Sequence, residues 1–176
     1  MTGMKLIEPS TEYRDQIMRY RRDTLEKEGT VHGSCGLARF EDPDEWIRYT
    51  VSCKDPGTVP EGRTEATQYL FVRENDRKIV GMIQVRHRLN DYLEKYAGHI
   101  GFSVAPDERR KGYGSSMLAE ALGKCRELGL DRVLVTCSTD NEGSRKTILR
   151  NGGIYESTVY EPDDREYLER YWIEIR

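Results

Sequence analysis

One segment constrains this chain more than any other. The apolar run HIGFSV, His99–Val104, leads through a short Pro-bearing link into ERRKGYGSSM, Glu108–Met117, and from there into a helical pattern. A helix N-terminus leaves its first backbone N–H groups without intrahelical partners and carries partial positive charge. Glycine lets backbone approach a bound anion, and basic side chains add charge around it. Arg109-x-x-Gly112-x-Gly114 offers all of these. Taken alone, the stretch reads either as a solvated basic turn, with Gly112 easing the chain into the helix, or as a cradle for phosphate. Two kinds of phosphate loop are excluded by the residues themselves. A nucleoside-triphosphate P-loop needs Gly-Lys-Ser/Thr at its close, and the dinucleotide fingerprint needs a third glycine where Met117 stands.

The surrounding pattern sets the fold class. Lys5–Glu8 reads as a strand, and Ser10 as the cap of a helix over Thr11–Glu28 with Tyr13, Ile17, Tyr20 and Leu25 near one face. A glycine-bearing loop, GTVHGSCGLARF, follows. Asp42-Pro43-Asp44-Glu45 then supplies an N-cap, a proline at the first helical position and a capping-box glutamate for a helix to about Cys53. KDPGTVPEGRTE is a long loop of the kind that often carries function. Tyr69–Glu74 and Lys78–Arg86 read as strands around the turn Asn75-Asp76-Arg77, and His99–Val104 as another. A helix over Gly112–Leu128, an apolar strand Arg132–Cys137, a helix Glu142–Arg150 and strands Ile154–Tyr160 and Arg170–Arg176 complete the order. That order predicts an α/β (α+β) chain, residues 1–176 as one domain, with a mixed sheet flanked by helices.

Composition narrows the partners. A net charge of −3 argues against nucleic acid, whose phosphate backbone selects a basic face. No apolar run has the length of a signal peptide or a membrane span, so the expectation is a cytoplasmic protein without membrane contact. In that compartment Cys35, Cys53, Cys125 and Cys137, none in C-x-x-C spacing, are expected as free thiols.

The block from Gly98 to Gly153 resembles the GNAT superfamily of acyl-CoA-dependent N-acetyltransferases. The family's centre is a strand, Q/R-x-x-G-x-G/A, a helix, a strand and an N-x-x-A/S helix. Here these are HIGFSV, Arg109-Arg110-Lys111-Gly112-Tyr113-Gly114, the helix, RVLVTC and Asn141-x-x-Ser144. The resemblance implies a mostly antiparallel sheet of about six to seven strands and acetyl-CoA as co-substrate, with no metal. It places the pyrophosphate on backbone N–H groups of Arg109–Ser115 and the pantetheine arm along Phe102, Ser103 and Val104. Asn141 and Ser144 would approach that arm, although Asn141 reads equally as a helix cap. Homodimerisation is a family expectation that no residue here specifies.

By the same resemblance the reaction is direct attack of a primary amine, on a small molecule or peptide, upon the thioester in a ternary complex. An aliphatic amine has a pKa near ~10 and must lose a proton first. The site must also stabilise an oxyanion, for which backbone N–H near Val104 would serve, and return a proton to the thiolate. His99 is a candidate base, since many relatives carry Glu at that position and imidazole titrates near neutrality; a lone strand-end His also reads as a structural residue. The usual acid is absent: Ile148 stands where the family often has Tyr, leaving Tyr155, with Tyr113 and Cys137, as weaker candidates. His32, Arg86 and His87 are candidates for the acceptor pocket, which in the family lies between the first helices, their loop and the final hairpin; Arg86 and His87 also read as a solvated strand end. Tyr160, Tyr167 and Tyr171 read as packing for the last strands. The missing acid keeps a second reading open, a non-catalytic acyl-CoA-binding regulatory module. Acceptor identity and acyl-chain length are not specified by these residues.

Overall fold

A computed structural model describes residues 3–175. Its strands are β1 (Met4–Ile7), β2 (Ala66–Arg73), β3 (Lys78–Arg86), β4 (Ile100–Val104), β5 (Arg132–Ser138), β6 (Ile154–Glu161) and β7 (Glu166–Glu174). Its α-helices are α1 (Arg14–Glu28), α2 (Pro43–Ser52), α3 (Tyr113–Glu127) and α4 (Glu142–Arg150). The strands form one seven-stranded sheet in the order β1-β2-β3-β4-β5-β7-β6. Every neighbouring pair is antiparallel except β4 with β5.

Alternation along the strands sorts the core into two layers. Leu70, Val72 and Met82 turn to one face and pack with Ile17 and Tyr20 of α1 and with Leu37 and Trp46. Phe71, Ile83 and Val85 turn to the other, where Met117 and Leu118 of α3 and Ile148 of α4 cover them. β5 is apolar on both sides because both are covered: Val133, Leu134 and Val135 are fully buried.

Several boundaries differ from the sequence reading, each for a local reason. Ser10 makes no side-chain cap, and a 3-10 turn at Thr11–Tyr13 precedes α1. Asp42 does cap α2, accepting the Asp44 N–H at 2.9 Å. β2 starts at Ala66 rather than Tyr69, because the polar Thr67 and Gln68 find buried partners. Thr67 Oγ1 lies 2.8 Å from His87 Nε2, and Gln68 Nε2 donates to Gly33 O at 2.8 Å. β7 begins at Glu166, pairing with Glu161 across a tight polar hairpin; the expected strand end at Arg176 lies outside the described residues. HRLNDYLEKYAG holds a turn of π-helix at Leu93–Ala97.

Candidate functional site

The only parallel junction of the sheet is also its weakest. β4 and β5 pair in register at Ile100↔Val135, with a further bridge from Gly98 to Val135, and diverge beyond. On its other side β4 is paired with β3 throughout, and just past its end Ala105 N–H donates to Val80 O at 2.9 Å. Peptide groups alternate in direction along a strand. Those of Phe102 and Val104 therefore turn away from β3, into the gap beside β5.

The gap opens into a cleft of about 680 Å³ lined by Phe102, Ser103, Val104, the 109–115 loop and the first turns of α4. The loop achieves its shape with two left-handed residues, Arg110 (φ 63°) and Gly112 (φ 84°). Gly112 caps α3, whose first intrahelical bond is Ser116 N–H to Gly112 O. The N–H groups of Tyr113, Gly114 and Ser115 are therefore free of helical acceptors at the end of the helix that carries positive charge. No metal-ligating cluster occurs among the described residues.

The basic side chains divide the work differently from the expectation. Lys111 turns back to Glu108 at 3.0 Å, and Arg73 and Lys78 pair with the same carboxylate at 3.0 and 2.8 Å. Burial pushes the Glu108 carboxyl up, but hydrogen bonds from Arg73, Lys78 and Lys111 outweigh it and hold it at about 2. Arg73 also donates to Tyr113 Oη at 2.9 Å, which fixes that ring as part of the loop's support. Arg109 donates through Nε to Val104 O at 3.1 Å and forms an ion pair with Glu28. Of the loop's cations, Arg110 has no ion pair among the described residues. Positive charge missed by the sequence reading comes from α4, where Lys146 and Arg150 line the cleft one helical turn apart. That i, i+4 spacing was the available signal.

A model of the acetyltransferase (GNAT) family matches residues 37–152, well over half of the chain. The chain belongs to this family. Solved structures agree on the fold. The ribosomal-protein-S5-alanine acetyltransferase of Vibrio fischeri superposes with a TM-score of 0.74 at 15% identity, over 99% of this chain and 94% of that one. An acetyltransferase of Salmonella typhimurium that modifies the N-terminal serine of ribosomal protein L7/L12 gives 0.72 at 16%, over 100% and 97%. The microcin C7 self-immunity acetyltransferase MccE, in complex with acetyl-CoA and AMP, gives 0.74 at 15%, over 99% and 94%. No curated protein matched by sequence.

The remaining residues of this GNAT chain fall into two groups. Asn141, Ser144 and His32 line the cleft with the loop. Asn141 also caps α4, its Oδ1 accepting the Ser144 N–H at 3.0 Å, as the cap reading expects. His99, Arg86, His87 and Tyr155 are not brought to the cleft wall. His99 is buried between β4 and β5, where its Nδ1 accepts the Leu134 N–H at 2.9 Å and its own N–H donates to Leu134 O at 2.8 Å. Burial, with the nearby Arg86 charge second, pushes its imidazole down to about 4. A neutral ring with its acceptor nitrogen committed to backbone is placed to hold the strands, not to take a proton. Arg86 donates to Ala97 O and Gly98 O at 3.1 Å each, pinning the turn before β4.

Tyr155 stands on the edge strand β6, 53% exposed, with its hydroxyl 2.8 Å from Thr158 Oγ1. Cys137 is buried and its thiol is pushed up to about 11, by burial first and by Glu169 next. Ile148 is fully buried against Gly153, as a core residue of α4. The sequence reading missed Tyr20 of α1, whose hydroxyl lies 2.8 Å from Ser103 Oγ at the cleft wall. Its burial raises the phenol well above its ordinary range, so it remains a proton donor.

Proposed function

We propose that this protein transfers an acetyl group from acetyl-CoA to a primary amine by direct attack within a ternary complex. One observation carries the reading: the outward peptide groups of Phe102 and Val104 border a cleft that ends at the unpaired N–H groups of α3. An amide-bearing arm can add to that edge as a short strand, and a pyrophosphate suits the helix N-terminus. Arg110 and Arg150 supply the positive charge at this end, with Lys146 beside them paired to Glu142. Val104 N–H faces the position where an oxyanion forms as the amine nitrogen bonds the thioester carbon and the carbon–sulfur bond breaks. The amine loses one proton in that step and the thiolate gains one. Ser103 and Tyr20 form the hydroxyl pair from which the second proton can come. The four free cysteines fit a reducing compartment such as the cytoplasm, and no described helix is long and apolar enough to cross a membrane.

The acceptor is an amine on a small molecule or a peptide. The names of two of the superposed proteins print an alanine of ribosomal protein S5 and the N-terminal serine of L7/L12, which makes peptides with N-terminal Ala or Ser the first acceptors to try. The experiment pairs calorimetric titration with CoA against thiol release from acetyl-CoA, using those peptides, spermidine, an aminoglycoside and free amino acids. CoA binding and saturable thiol release with one acceptor class are expected. No CoA binding at millimolar concentration would refute the reading. Because Ile148 removes the family's usual acid, binding without turnover on any amine decides instead for an acyl-CoA-binding regulatory module.

A further inference from the structure

The ion pair between Glu28 and Arg109 crosses the cleft from one layer of the fold to another. Glu28 is the last residue of α1, and Arg109 opens the loop that leads into α3. Both line the cleft, and their side chains are 32% and 34% exposed. α1 covers the sheet face to which Met82 and Tyr20 belong, opposite the layer of α3 and α4. Ser103, hydrogen-bonded to Tyr20, turns to this same face. Glu28 therefore faces the cleft from the layer of Tyr20 and Ser103, on the side away from the phosphate loop's helix.

Both contacts of Arg109 lie where a donor would sit. Its Nε holds Val104 O, an acceptor on the strand edge that an added amide would claim. Its other end holds Glu28, in a cleft that a pyrophosphate would fill with negative charge. A donor in place competes for the guanidinium at both ends and releases the carboxylate.

The other ionisable groups of the lining are differently engaged. Glu108 is tied to three cations. Glu142 pairs with Lys146 and is 70% exposed on α4. His32 is exposed, lines the same cleft, and lies within Coulombic reach of Asp164 in the β6–β7 turn.

Resting on the acetyltransferase reading, we infer that Glu28 is the general base for the attacking amine, and that Arg109 sequesters it until the acyl donor is bound. The donor then binds first, and its charge exposes the base for the second substrate. Glu28 accepts one proton from the ammonium, and the freed lone pair forms the C–N bond; as the C–S bond breaks the nitrogen gives up its second proton, and the departing thiolate takes one up through the Ser103–Tyr20 hydroxyl pair.

The test is Glu28→Gln, with Glu28→Asp beside it. With a panel amine that turns over, Glu28→Gln is expected to lower kcat about 100-fold or more, and Glu28→Asp to recover part of it. In the same Glu28→Gln protein, calorimetry with CoA should show affinity rising roughly two- to fivefold, because a competing surface charge is gone. A purely structural Glu28 would lower both rate and affinity. Wild-type kcat in Glu28→Gln, or weaker CoA binding, overturns the inference. If the wild-type protein releases thiol with no amine, the acetyltransferase reading falls and the base role with it. The CoA titration then still decides whether Glu28 competes for Arg109.

Discussion

Replacing Glu108 by Gln tests whether the loop's support is electrostatic. The Glu108 side chain is 5% exposed and faces Arg73, Lys78 and Lys111. Its carboxyl is held at about 2, where an unperturbed glutamate titrates near ~4.3. At ~1.4 kcal/mol per unit, that depression corresponds to about 3 kcal/mol of stability. Because the folded value lies below the unfolded one, the contribution is complete above pH ~5 and is lost as pH falls towards 2. Glu108→Gln removes that contribution, while Arg73 and Lys78 keep Asp76 and Asp107, and a cost of up to about 3 kcal/mol is expected at pH 7. Urea denaturation of both proteins from pH 7 to pH 2 measures it. The gap should narrow steadily below pH 5 as the wild-type carboxyl takes up its proton. Asp107→Asn is the contrast, since Asp107 also pairs with Lys78 but is 67% exposed; its cost should stay below about 1 kcal/mol. An unchanged midpoint in Glu108→Gln, or a gap that persists undiminished at pH 2, refutes the reasoning.

Two further outcomes follow from placements in the site. His99→Asn keeps an acceptor for the Leu134 N–H, so acetyl transfer should remain within about threefold of wild type; a large fall in kcat with normal CoA affinity would restore His99 as base. The same variant should lose a pH dependence of stability. The folded imidazole, at about 4, lies below its ordinary ~6.5, so the wild-type protein loses up to about 3 kcal/mol between pH 7 and pH 4, and His99→Asn does not. Gly33 has φ 65°, and a Cβ there would sit 2.4 Å from Gly101 O and Phe102 Cα. Gly33→Ala should cost at least about 1–2 kcal/mol from backbone conformation alone. It should also lift the loop off β4, raising KM for the amine while CoA affinity, read by calorimetry, stays level.

What the sequence made legible was local. Lys78–Arg86 and Glu142–Arg150 have the boundaries that their patterns predict, because strand alternation and helix caps are written within a few residues. The glycine entry to α3 was legible for the same reason: Gly112 and the helix after it are adjacent in the chain. The assignment of its cations was not. Arg109 and Lys111 look equivalent in ERRKGYG, yet one crosses to Glu28 and the other folds onto Glu108. Glu108 itself is buried by Arg73 and Lys78, some thirty residues away in sequence. His99 was open in the sequence between a base, by the family resemblance, and a structural strand-end residue; its ring's partner lies on β5, 35 residues later, where local sequence does not show it. Tyr20, spaced as an ordinary core residue of α1, gave no sign that its hydroxyl would meet Ser103.

The meeting of β4 with β5 also has a mechanical meaning. Strands β1–β4 form one antiparallel unit and β5, β7 and β6 another, and the seam between them carries a single in-register backbone pair, a bridge and the His99 bonds. A molecule that adds along the free edge of β4 also stitches the two units together. Occupancy should therefore raise resistance to unfolding along the seam beyond what the same affinity would give at a surface groove, so that amide exchange at Phe102 and Val104 slows most.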